Sequence, residues 1–171
     1  MGILDWLKRE SAPSEGLVFS AVVEEGPYTA MDGETLWRSG LALVHDTGQF
    51  MRWDSPELLE VGAFICRVAG VSFRPDALQR EEFSPCNPLV LRPEPENPHD
   101  PNAVGVWDAS GQIQVGYLPR DRAGAVSGAF RTGRPMGAMV LQELRTSERG
   151  KRVSLVILVC PVGSIELQVQ R

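Results

Sequence analysis

The sequence is poor in the groups most enzymes use for chemistry. Only two histidines, His45 and His99, occur in 171 residues. No Ser/His/Asp or Cys/His set can be placed around them. There is no Gly-rich phosphate loop of the P-loop kind either. The expectation is a protein that is not an enzyme, with no catalytic residues and no cofactor. Cysteine is also scarce: Cys66, Cys86 and Cys160 are widely spaced, form no CxxC pair and have no histidine at metal-ligand spacing. That pattern argues against a metal site and fits buried free thiols in a cytoplasmic protein. No apolar run has membrane-spanning length. The opening residues 1–9 are too short and wrongly charged for a secretory signal and read as a short amphipathic helix.

Positive charge is in deficit overall, with a formal net charge of −5, which speaks against nucleic acid until the chain is divided. Residues 1–60 carry 4 basic against 11 acidic side chains, whereas 120–152 carry 8 against 3. The asymmetry fits a basic face beside an acidic extension, although a charged run is more often a solvated surface. Deleting an acidic extension that covered a basic face would raise affinity for an anionic partner.

What the sequence has in plenty is short β-branched stretches bounded by turn residues. A linker is expected over 10–16. Strands are expected over 17–23, 36–44 and 49–53, with turns at Glu25-Gly-Pro27, Asp32-Gly33 and Asp46-Thr-Gly48. Trp37, Phe50 and Trp53 read as packing residues. A helix start or turn at Asp54–Glu57 marks a boundary. Alternation then gives a strand over 63–73, ended by Arg74-Pro75-Asp76, a helical turn over 77–83, and strands over 87–91, 103–107 and 112–118. Asp108-Ala-Ser-Gly111 is a hairpin turn. The period then changes: Ala123, Val126 and Phe130 share one face of a helix over 120–130. Strands over 136–144 and 153–159 follow, with a last edge at 167–169. Many short strands with turn signals suggest a small barrel or sandwich.

One stretch organises the rest: Glu94-Pro-Glu-Asn-Pro-His-Asp-Pro-Asn-Ala-Val-Gly-Val-Trp107. Its prolines fix φ and remove amide donors, and its Asn and Asp side chains build turns by bonding nearby amides. It is a rigid loop that delivers the chain into a strand. With Val68-Ala-Gly-Val71 and Phe73 before it, Val115-Gly-Tyr-Leu-Pro119 after it, and a helix opening on Arg120 and Ala123, this pattern resembles the HIRAN domain over roughly residues 60–160. The resemblance implies an OB-like barrel, in a family found beside helicase and ubiquitin-ligase modules in DNA-repair proteins, that grips the 3′ end of single-stranded DNA.

The resemblance also implies roles for single residues. Asp100 corresponds to the aspartate that accepts a hydrogen bond from the terminal 3′-hydroxyl. His99 stands where a tyrosine packs on the end base, and Phe73 where a second tyrosine closes the first strand. Arg120 keeps a cation at the helix opening. Asn97 and Asn102 match the loop asparagines, and Tyr117 falls at a histidine position. Ser72 departs from the family's phosphate-binding arginine; Arg74 offers charge nearby. Each residue also has a structural reading. Asp100 can cap the loop, Asn97 and Asn102 can build it, and Phe73 and Tyr117 can pack in alternating strands.

The fold expected is therefore mostly β with one or two short helices: an OB-like or SH3-like small β-barrel over 59–162, an acidic extension over 1–58, and an edge strand or tail over 163–171. The function expected is recognition of single-stranded DNA at 3′-hydroxyl ends, with a helicase or other repair protein as further partner and no membrane. The alternative is a protein-interaction or scaffolding barrel that has lost DNA binding.

Overall fold

The computed structural model describes residues 16–170. The helix expected over 1–9 and most of the linker expected over 10–16 lie outside the described residues. Nine strands dominate. They are β1 (Leu17–Thr29), β2 (Thr35–Val44), β3 (Phe64–Arg67), β4 (Pro88–Pro93), β5 (Val104–Asp108), β6 (Gln114–Tyr117), β7 (Met136–Arg145), β8 (Arg152–Pro161) and β9 (Ile165–Gln170). Three helices join them: α1 (Pro56–Glu60), α2 (Pro75–Leu78) and α3 (Arg120–Arg131).

Six strands pair antiparallel in the order β6-β5-β4-β7-β8-β3. The sheet itself is open. Its two ends are tied by Ala69, two residues beyond β3, which exchanges both backbone hydrogen bonds with Tyr117 of β6, at 2.8 and 2.9 Å. This single bridge curls the six strands round a core of Val104, Val106, Val115, Val140, Ile157 and Val159. Gly116 sits at the closure, where a Cβ would collide with the Ala69 carbonyl and Val68.

The remaining strands form a second layer. Strand β2 pairs with the second half of β7, from Gln142 to Arg145, on the edge that β4 uses at Ala138 and Met139. The long β7 thus serves two sheets, with a bulge at Leu141 where one gives way to the other. Strand β1 lies between β2 and the parallel β9. Phe19, Ala21, Leu41, Leu43, Ile165 and Leu167 pack with Leu58 of α1 on the outward residues of the barrel, namely Ile65, Met139, Leu141, Val156, Leu158 and Cys160. Alternation therefore gives β3, β7 and β8 a core on each face.

Several local expectations change. Glu25-Gly-Pro27 is not a turn but runs inside β1; Pro27 is tolerated because β9 pairs only as far as Val22, leaving that edge of β1 without a ladder. The strand over 49–53 reduces to one bridge between Val44 and Phe50. Phe50, in that bridge, and Trp53, in the turn that follows, are 60% and 42% exposed rather than packed. The strand over 63–73 ends at Arg67, because Gly70 adopts φ 74° and bends the chain into a 3-10 turn, Val71–Phe73. Phe73, a possible core residue on alternation alone, is 88% exposed.

Candidate nucleic-acid interface

The loop between β4 and β5 is built by its own side chains. Asn97 Oδ1 accepts the amides of His99 (3.0 Å) and Asp100 (3.2 Å). Asp100 Oδ1 accepts the Asn102 amide (2.9 Å), and the Asp100 carbonyl accepts that of Ala103 (3.0 Å). Two side-chain turns in series thus convert a proline-rich run into a fixed shelf.

Glu94, at the start of the shelf, is its anchor. Its Oε2 accepts the Asn97 amide group (3.0 Å) and the Tyr117 hydroxyl (3.1 Å), while Oε1 accepts from Gln114 at 3.4 Å. Sequence reasoning gave Glu94 no role, and for a physical reason. Gln114 and Tyr117 are three apart, so strict alternation sends them to opposite faces; the register shift that leaves Val115 as an extra residue lets both reach Glu94. Tyr117 is thereby fixed by its hydroxyl, and its ring is left to line a surface.

Between shelf, barrel closure and helix lies a pocket of about 290 Å³. Asn97, His99, Asp100, Tyr117 and Arg120 line it, with Ala69, Ala103 and Leu118 as an apolar floor. Five of the eight candidate residues thus meet in one place. Arg120 opens α3, which has no side-chain cap; its Nε stands 3.8 Å from Asp100 Oδ2, and its side chain is 79% exposed against 19% for Asp100. Asp100 divides its carboxylate: one oxygen holds the loop, the other faces the arginine.

The other three candidates stand outside the lining. Asn102 Oδ1 accepts from Arg131 of α3 at 3.4 Å, tying the loop to the helix. Phe73 projects into solvent from the turn that packs beside β6, four residues past Ala69. Arg74 follows it, half-buried, ahead of α2.

Among the described residues no three His, Cys, Asp or Glu side chains are grouped as a metal would need. Burial pushes the Cys66 thiol up to about 12 and the Cys160 thiol to about 11, so neither is a thiolate near neutral pH.

Residues 61–135, from just before β3 to the end of the α3 loop, match the family model of the HIRAN domain. Over these residues the chain is similar to the HIRAN domain. The match takes in the shelf, the pocket and α3, and stops before β7 and β8. Two solved structures are similar. The HIRAN domain of human HLTF is 20% identical, with a TM-score of 0.40 over 59% of this chain and 78% of that one. A protein from Lactobacillus plantarum is 16% identical, with a TM-score of 0.38 over 56% of this chain and 91% of that one. No curated relative matches the sequence.

Proposed function

We propose that this protein is a non-enzymatic, single-stranded DNA-binding module that receives a free 3′-hydroxyl end in the pocket between the shelf and α3. The observation that carries the reading is the half-used carboxylate of Asp100. Its Oδ2 is turned to a small, open-mouthed pocket beside a cation, where it can accept a terminal hydroxyl and repel a phosphate at the same point. His99 and the ring of Tyr117 offer flat surfaces for the end base. Arg120 and the first amides of α3 meet the phosphate that follows. Ser72 supplies no charge, so phosphate contact rests on Arg120, with Arg74 near the same turn. The setting we assign is DNA repair or replication stress in the cytoplasm, beside a helicase or other repair protein.

Fluorescence anisotropy with oligonucleotides ending in a 3′-hydroxyl or a 3′-phosphate tests the reading. Tighter binding of the free end is expected, with Asp100→Ala removing most of the difference. Absence of binding at low salt, where phosphate contacts are strongest, would reject the DNA reading in favour of a protein-interaction barrel. Equal binding of both ends would reject end recognition alone.

A further inference from the structure

A second cleft of about 290 Å³ lies between β1–β2 and the outer face of the barrel. Its floor is apolar, made of Leu41, Leu43, Ile65, Leu141 and Val156, and its mouth carries Tyr28, Phe50 and Trp53. Phe50 and Trp53 are among the large apolar side chains this protein leaves in water, and both border this opening. The charges at the mouth are unequal. Glu24 is already satisfied by Arg38 at 2.7 Å and by Gln142 at 3.3 Å. Arg67, half-buried in β3, has neither an ion pair nor a hydrogen-bond acceptor among the described residues. The opening therefore combines flat rings, an apolar floor and one uncompensated guanidinium. That is the chemistry of a nucleotide: a base to stack and a phosphate to neutralise.

Position decides between a nucleotide strand and an unrelated ligand. Along β3 and its continuation Phe64, Cys66 and Val68 point into the barrel core, so Ile65, Arg67 and Ala69 point out. Arg67 lines the cleft and Ala69 lines the end pocket. Two residues of extended chain separate them by about 6–7 Å, within reach of a strand's next nucleotides. We infer that the cleft is the continuation of the DNA path, in which Phe50 and Trp53 stack bases upstream of the 3′ end and Arg67 takes the phosphate between the two sites. This rests on the end-binding reading and extends it to the β1–β2 layer, which lies outside the matched residues 61–135.

Oligothymidylates of two to eight nucleotides with a free 3′-hydroxyl, titrated against the full chain, separate the two sites. Affinity is expected to rise as the strand outgrows the end pocket. Trp53→Ala and Arg67→Ala should each weaken the longer oligonucleotides about fivefold or more and leave the dinucleotide unchanged. Asp100→Ala should weaken short and long alike. Phe50→Ala, at the more exposed of these two rings, repeats the test with less risk to folding. End-selective binding that is independent of length and indifferent to Trp53, Phe50 and Arg67 would overturn the extended path and leave the end pocket standing. Absence of binding at every length would overturn both.

Discussion

At the scale of single residues, the strongest constraint lies away from the pocket. Arg152 is 3% exposed, and its guanidinium donates to Glu143 (2.5 Å), the carbonyls of Leu78 (2.8 Å) and Arg80 (2.9 Å), and Ser84 Oγ (3.2 Å). It clamps the α2 segment onto β8 from inside. Burial raises the Glu143 carboxyl, but hydrogen bonds from Arg145 and Arg152 and their charges outweigh it and hold the group below its ordinary 4.5. A carboxylate depressed in the folded state stabilises above its unfolded value and loses that contribution as pH falls through the folded one. Thermal stability should therefore drop as pH is lowered below about 4.5. Arg152→Met should cost about 3–5 kcal/mol at neutral pH, since it strips a buried carboxylate of one partner, and should flatten the acid limb. Denaturant titrations across pH 3–7 check both; an unchanged acid limb in the variant would show that other carboxylates govern it.

At the scale of elements, the junction of β2 with β7 is the sensitive joint. Gly40 pairs with Gln142 and adopts φ 139°, a conformation that side chains disfavour. A Cβ there would also fall on the Leu141 carbonyl and the Gln142 backbone. Gly40→Ala should cost roughly 2–5 kcal/mol through strain and overpacking. It should loosen the β1–β2 layer before the barrel. Hydrogen exchange that rises first in residues 17–44, with the Ala69–Tyr117 closure still protected, is the expected pattern. Uniform exchange would place the damage elsewhere. The hairpin between β5 and β6 is by contrast self-contained: the Asp108 carboxylate accepts the amides of Ser110, Gln112 and Ile113, as its turn sequence announces.

For the whole molecule, the two layers should fold as one. Strands β3, β7 and β8 contribute alternate residues to both cores, so neither core can open without exposing apolar surface of the other. Ile165 and Leu167 of β9, 2% and 1% exposed, lie far along the chain from the pocket. Changing either to alanine should nevertheless cost about 2–5 kcal/mol and lower a single transition that Trp37 in β2 and Trp107 in β5 report together. Two separated transitions, with Trp107 unaffected, would instead mark independent layers.

The sequence by itself determined the parts whose information is local. The loop's asparagines and Asp100, the Asp108 turn, the helix from Arg120 and the succession of β4 to β9 were legible because side-chain turns and short-period alternation act within a few residues. The convergence of Asn97, His99, Asp100, Tyr117 and Arg120 followed from the resemblance of their spacing to a known domain. Only the tertiary structure placed Phe73 in solvent, since a left-handed Gly70 undoes the alternation that pointed it inward. Only it revealed Glu94 as the anchor of the shelf, because a bulge changed which side chains face together. And only it joined residues 17–44 and 165–170 into a layer on the barrel. Pairing between strands more than a hundred residues apart is decided by which apolar faces remain to be covered, and no local pattern records that choice.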